Sequence, residues 1–191
     1  MKKIPSLFQR DYGGDRLVYD EVVPSSKWVQ NGEGVPTEKI DGTACLVRDG
    51  KLYKRYDAKN SKTPPLKFEP AQPEADPVTG HWPGWLPVDD SPGDKWHIEA
   101  IGNSPELLSG THELIGPKVQ KNPYGLTKHI LVGHGRWLFQ DEPPRTFNEL
   151  KVWFETHEIE GIVWWRNIND QDCDKVKIKR KDFGLPWPVK K

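Results

Sequence analysis

The sequence is poor in cysteine. Cys45 and Cys173 are the only two in 191 residues, and they stand far apart. They match neither a zinc-ligand spacing nor a disulfide framework, so a reducing, cytoplasmic setting is the simple expectation. No apolar run approaches the roughly 18 residues of a membrane-spanning helix. The opening stretch, MKKIPSLFQRDYGG, is basic but lacks an apolar segment, so it does not read as a signal peptide. Net charge is also missing, because 28 Lys plus Arg balance 28 Asp plus Glu. That argues against a bulk polycation and leaves room for a local basic patch. The six histidines are scattered, no His/Cys cluster points to zinc, and no internal repeat is evident.

Tryptophan, by contrast, is plentiful. Nine Trp residues in a chain that is 35% hydrophobic must supply much of the core, or else offer flat faces for stacking on bases. The length suits a single domain with a sizeable core.

Local signals predict several strands and few helices. In TACLV-RDG-KLYKRY, two apolar-rich runs flank Asp49-Gly50, the pattern of a tight hairpin. Residues 63–93 are crowded with Pro, Gly and acids, which excludes a long helix or a central strand. Trp82, Trp85 and Leu86 predict that this stretch is an ordered loop or lid. WHIEAIGN reads as a strand and SPELLSG as a helical turn. THELIGPKV reads as a strand breaking at Gly116-Pro117, NPYG as a turn, and HILVGH as a buried strand. Thr146 and Glu149 fit a capping box ahead of an apolar stripe of Phe147, Leu150, Trp153 and Phe154. GIVWW and DKVKIKRKDFG read as two further strands. The expected class is α+β with antiparallel sheets.

Some residues have chemical potential. Lys39, in TEKIDGT, is either a surface lysine at a strand edge or a nucleophile. A free lysine is neutral in roughly one molecule in 2,500 at pH 7, so it attacks only when desolvation or other cations lower its pKa. In DKVKIKRK the strand period puts Val176 and Ile178 on one face and Lys175, Lys177 and Lys179 on the other. From Lys175 to Lys191 there are seven Lys or Arg and one acid, Asp182. Such a row either protects a solvated edge strand or neutralises a polyphosphate. Glu113 and Glu160 fall in or beside strands. Each is a satisfied polar group, a surface acid, a ribose ligand or a metal ligand; Mg²⁺ takes carboxylates together with phosphates and waters.

Taken in order, these segments resemble the covalent nucleotidyltransferases: DNA ligases, RNA ligases and mRNA capping enzymes. Lys39-Ile-Asp-Gly42 is similar to their KxDG motif. HELIGPKVQ resembles the third motif, EGIVWW the fourth, and KVKIKRKDFGL the fifth. TEKIDGTACLV, GPKVQKNPYGL and FGLPWP look closest to the small 5′–3′ RNA ligases. The resemblance implies a nucleotidyltransferase (ATP-grasp-like ligase) fold over residues 1–191, as one adenylyltransferase domain with an insertion at about 63–93. It also implies an ATP-dependent RNA ligase of the kind used in RNA repair, with Mg²⁺ or Mn²⁺ as cofactor. Lys39 would attack the α-phosphate of ATP to form lysyl-AMP, with Thr37 and Glu38 flanking the adenine. Asp41 would orient the lysine or a metal-bound water, and Gly42 would allow close backbone approach. Arg55 would contact the nucleotide or the RNA 5′-phosphate, and Glu113 would hold the ribose. Glu160 would help bind the metal, with Asp41. Lys177 and Lys179 would grip the α-phosphate and, with the metal, make the Lys39 amine neutral. The base-stacking aromatic of related enzymes is missing from HILVGH, and an aliphatic such as Ile130 or Val132 takes that place. The substrate would be RNA with 5′-phosphate and 3′-hydroxyl ends.

DNA ligases and capping enzymes continue into an OB-fold, and the stretch after Lys179 is too short for one. No OB-fold is therefore expected, which favours an RNA ligase. A nucleotidyltransferase with another donor or acceptor, such as GTP or a DNA nick, is one alternative. A non-catalytic single-strand-binding module is another.

Overall fold

A computed structural model describes residues 3–59, 63–77 and 79–189. Val78 of the Pro/Trp-rich stretch, and Lys190 and Lys191 of the C-terminal basic run, lie outside the described residues. The elements in chain order are β1 (Phe8–Arg10), β2 (Val18–Val22), α1 (Lys27–Gln30), β3 (Val35–Lys39), β4 (Thr43–Arg48), β5 (Lys51–Ala58), β6 (Glu69–Pro70) and β7 (Trp82–Pro87). They continue with α2 (Lys95–Gly102), β8 (Gly110–Ile115), β9 (Ile130–Gly133), α3 (Phe147–Thr156), β10 (Gly161–Trp165) and β11 (Lys175–Lys179). The structure is mixed α and β, with antiparallel sheets and few helices. It divides into two compact units: residues 41–134 with Lys3, and residues 4–40 with 135–189.

The 41–134 unit is built on a six-stranded sheet in the order β6-β7-β5-β4-β8-β9, antiparallel throughout. Its central hairpin follows from Asp49-Gly50. Both residues take positive φ, 52° and 70°, as a primed two-residue turn requires, and Arg48 pairs with Lys51. Alternation then sorts the two faces. Cys45, Val47, Leu52, Leu114 and Leu131 form a buried cluster with Ala100 of α2. Glu113, Ile115, Ile130 and Val132 take the opposite face, because Glu113 pairs with Val132 and Ile115 with Ile130.

Three expectations are corrected in this unit. WHIEAIGN is not a strand but most of α2. Trp96, Ile98 and Ala100 alternate as a strand would, but Trp96 and Ala100 also stand one helical turn apart. Tertiary contacts decide between the two periods. Asp94, just ahead of the helix, accepts from Lys54 Nζ at 2.5 Å; Trp96 stacks on His129 at 4.5 Å; and Glu99 accepts from the His129 backbone N–H at 3.1 Å. The helical turn expected at SPELLSG is a run of bends. Ser104, its natural cap, instead accepts a hydrogen bond from Leu131 N at 2.9 Å. The stretch 63–93 does contain an internal strand, β7, lying between β5 and β6. Pro83 is tolerated there because its carbonyl, and so its missing N–H, faces β6, which is two residues long; Ala71 N donates to Pro83 O at 2.9 Å.

The other unit holds a three-stranded sheet in the order β11-β10-β3 and the β1-β2 pair. Ile162 and Trp164 of β10, and Val176 and Ile178 of β11, turn one face onto Leu7, Phe8, Val29, Leu150 and Phe154. Leu150 and Phe154, four apart on α3, are fully buried, as the apolar stripe predicts. Thr146 sits at the N-cap, but its hydroxyl bonds the Glu149 carboxylate at 2.6 Å rather than a backbone N–H. Aromatic side chains dominate this core, where Trp164 and Phe154 are both 0% exposed.

Candidate active site

The ordering of β11-β10-β3 places the lysines. Gly161 of β10 pairs with Lys39 of β3 on one side and Lys179 of β11 on the other. Val163, two residues on, pairs with Thr37 and Lys177. Paired residues of an antiparallel sheet share a face, so Thr37, Lys39, Lys177 and Lys179 stand on the side away from the apolar core. A Cβ on Gly161 would lie 2.3 Å from Ile178 O and 3.0 Å from Lys179 Cα, so only glycine lets β10 and β11 pair closely here.

Lys39 ends β3, and its Nζ donates to Glu160 Oε2 at 2.7 Å. Its immediate partner is therefore a carboxylate, not the Lys-x-Lys pair of β11. Burial, and after it the charges of Lys39 and Lys179, push Lys177 down to about 8. Lys39, Lys177 and Lys179 are thus close enough to interact. Lys175 takes no part in this: its Nζ lies over the Trp165 ring at 4.5 Å and donates to Gln171 O at 2.5 Å and Cys173 O at 3.2 Å.

Glu38 pairs with Ile162 and so alternates to the face opposite Lys39. Burial, and then the Glu160 carboxylate, push it up to about 7. The two carboxylates thus lie close enough to repel in a partly buried place. Among the described residues, no group of three or more His, Cys, Asp or Glu is arranged to hold a metal. Thr37 is 1% exposed; its hydroxyl donates to Val163 O at 3.3 Å and accepts from Trp165 Nε1 at 3.0 Å. Its side chain is committed to tying β3 to β10.

The remaining sequence candidates lie in the 41–134 unit, since the division falls between Ile40 and Asp41. Asp41 N donates to the Tyr124 hydroxyl at 2.7 Å. A Cβ on Gly42 would meet Leu114 O at 2.2 Å and Glu113 Cγ at 2.8 Å, so the glycine allows the chain to enter β4 against β8. Glu113, 8% exposed, is held by His134, whose Nε2 lies 2.7 Å from Glu113 Oε2. Ile130 and Val132 share the Glu113 face, with Val132 directly opposite Glu113. Arg55 lies two strands away on β5; its Nε donates to Asp57 at 3.0 Å and its guanidinium sits 5.5 Å from the Trp85 ring centroid.

Sequence reasoning missed Tyr124 and His134. Each lies in a segment with a readable structural role, the NPYG turn and the end of HILVGH. Only the turn signal hinted that Tyr124 would face the start of β4.

The RNA ligase 1 family matches residues 93–191 of this chain. RNA ligase 1 of Rattus norvegicus is 30% identical over 228 aligned positions, covering 81% of this chain and 69% of the relative. RNA ligase 1 of Mus musculus is 30% identical over 230 positions, covering 81% and 68%. RNA ligase 1 of Danio rerio is 29% identical over 228 positions, covering 80% and 68%. The matched region holds Glu113, Glu160, Lys177 and Lys179, and on these similarities the chain belongs to the RNA ligase 1 family.

Proposed function

We propose that the protein is an ATP-dependent RNA ligase that works through a covalent lysyl-AMP. Lys39 Nζ attacks the α-phosphorus of ATP; an N–P bond forms and pyrophosphate leaves. AMP then passes to an RNA 5′-phosphate, and a neighbouring 3′-hydroxyl displaces it to seal the strand. The observation that carries this reading is the Lys39–Glu160 contact of 2.7 Å beside the crowded cation Lys177. The Lys39 amine sits among charged groups on one face of the sheet, and it must part from Glu160 to reach the phosphorus. Lys177 and Lys179 stand on the same face to meet the phosphate charge that builds during displacement.

Glu160 would help hold Mg²⁺ or Mn²⁺, with Asp41 a further candidate ligand in its own unit, and the ion would supply charge neutralisation on the phosphates. Thr37 serves this site as a strut, and Glu38 serves it through its coupling to Glu160. Gly42, Glu113, Ile130 and Arg55 belong to nucleotide and RNA-end binding in the same reading. A nucleotidyltransferase fold, residues 1–191 acting as one adenylyltransferase domain, and a cytoplasmic location are parts of the same proposal. Among the described residues, Cys45 and Cys173 are free thiols and no helix is long and apolar enough to cross a membrane.

The test is incubation with α-labelled ATP and Mg²⁺ followed by a denaturing gel. A labelled band is expected for the wild type and none for Lys39→Ala. A band that persists in Lys39→Ala sinks the mechanism.

A further inference from the structure

His134 has no role in the chemistry proposed so far, yet its placement is specific. Thr111 O accepts from His134 N at 3.0 Å, so His134 extends β9 opposite β8 and falls on the Glu113 face. Its Nε2 reaches Glu113 Oε2 at 2.7 Å, and both side chains are largely buried, at 14% and 11% exposure. A carboxylate only accepts, so Nε2 carries the hydrogen. His134 Nδ1 is buried and has no hydrogen-bond partner among the described residues. Buried polar atoms are seldom left unmade, and those that are often mark a functional site.

On the other side, Gly42 packs against Glu113; an added Cβ would come within 2.8 Å of Glu113 Cγ. The imidazole thus holds one carboxylate oxygen while the stem of Glu113 packs on a glycine. A histidine bonded to a functional acid in this way fixes the direction of the acid's lone pairs.

We propose that His134 is the positioning residue of the nucleotide sugar site: it fixes the Glu113 carboxylate to accept a ribose hydroxyl, and so sets the preference for a ribonucleotide over a deoxyribonucleotide donor. This rests on the nucleotidyl-transfer reading. A hydroxyl bonded to a fixed charged acceptor is worth roughly a ten- to hundredfold preference, and a carboxylate free to rotate gives up much of that preference.

The experiment measures kcat/KM for self-labelling with ATP, 2′-deoxy-ATP and 3′-deoxy-ATP in the full chain. The wild type is expected to prefer ATP over at least one deoxy analogue by roughly tenfold or more. His134→Leu is expected to flatten that preference by raising KM for ATP, with KM for the analogue unchanged. His134→Gln, whose amide reaches the Nε2 position, restores the preference. His134→Asn, whose shorter amide stops near Nδ1, does not, and it provides the test should the leucine variant not fold. Glu113→Ala flattens the preference equally, and the double variant adds nothing. Equal losses with ATP and deoxy donors in the His134 variants, or no sugar preference in the wild type, overturn the proposal. Calorimetric titration of the same nucleotides separates the two readings. Absence of label together with a His134-dependent affinity ratio defeats the transfer chemistry and leaves the sugar site standing.

Discussion

Lys177→Met separates stability from activity at a single side chain. Lys177 projects from β11 beside Lys39 and Lys179, and burial followed by those two charges lowers its pKa from 10.5 to about 8. At about 1.36 kcal/mol per pH unit, holding its charge at pH 7 costs the folded state roughly 3 kcal/mol. The backbone of this position is unaffected by the change, since Lys177 N bonds Pro5 O at 3.0 Å and Leu7 N bonds Lys177 O at 2.8 Å. Methionine keeps the length of the stem and drops the ammonium. Part of the cost is relieved by solvent at the half-buried tip, so a gain of about 1–2 kcal/mol is expected at pH 7. The sign follows from linkage. Below pH 8 both folded and unfolded chains carry the charge, and the whole cost applies. Between pH 8 and 10.5 the folded chain sheds its proton first, so wild-type stability rises with pH through that window. The advantage of Lys177→Met must therefore shrink from pH 8 and vanish near 10.5. Urea unfolding followed by tryptophan fluorescence, at intervals from pH 7 to 10, reads this directly. Over the same series, lysyl-AMP formation should fall by roughly 10²–10³, the usual worth of a charge-stabilising group. A variant less stable than wild type at pH 7, or an advantage that ignores pH, refutes the reasoning.

Two further outcomes are expected. Glu38 is pushed up to about 7 by burial and then by Glu160, so the folded state favours its neutral form, and that stability is lost as pH rises from 4.5 through 7. Glu38→Gln should thus be more stable than wild type at pH 8 and no more stable at pH 4, in thermal melts at the two pH values. Gly42→Ala should lose about 2 kcal/mol or more, because its Cβ would sit 2.2 Å from the Leu114 carbonyl oxygen and β4 must part from β8; an unchanged melting temperature would contradict the close approach.

What could be read from the sequence was local. The hairpin over β4 and β5 was legible because Asp49-Gly50 selects its own turn. Helix α3 was legible because Leu150 and Phe154 share a face. The alternation of DKVKIKRK was legible because β11 is amphipathic, and it put Lys177 and Lys179 on the side away from Val176 and Ile178. What failed was decided by partners far along the chain. Trp96, Ile98 and Ala100 fit two periods at once, and it took His129 and Lys54 to choose the helix. Pro83 argued against an internal strand, yet β6 is so short that a missing donor beside it costs little.

The same distinction limits what motif spacing says about chemistry. Spacing within β11 put Lys177 and Lys179 on one face but did not separate them from Lys175, which is drawn off by two loop carbonyls and the Trp165 ring. The sequence led to Lys177 and Lys179, with a metal, as the cations around Lys39, but it did not point to the contact of Lys39 with Glu160, 121 residues away. In the proposed mechanism Lys39 must leave the Glu160 carboxylate, 2.7 Å away, before its amine meets the α-phosphate. Glu160 both contacts Lys39 and helps hold the ion in that mechanism, so Glu160→Gln should cut lysyl-AMP formation by about tenfold or more on the α-labelled ATP gel, and unchanged labelling would remove Glu160 from the site.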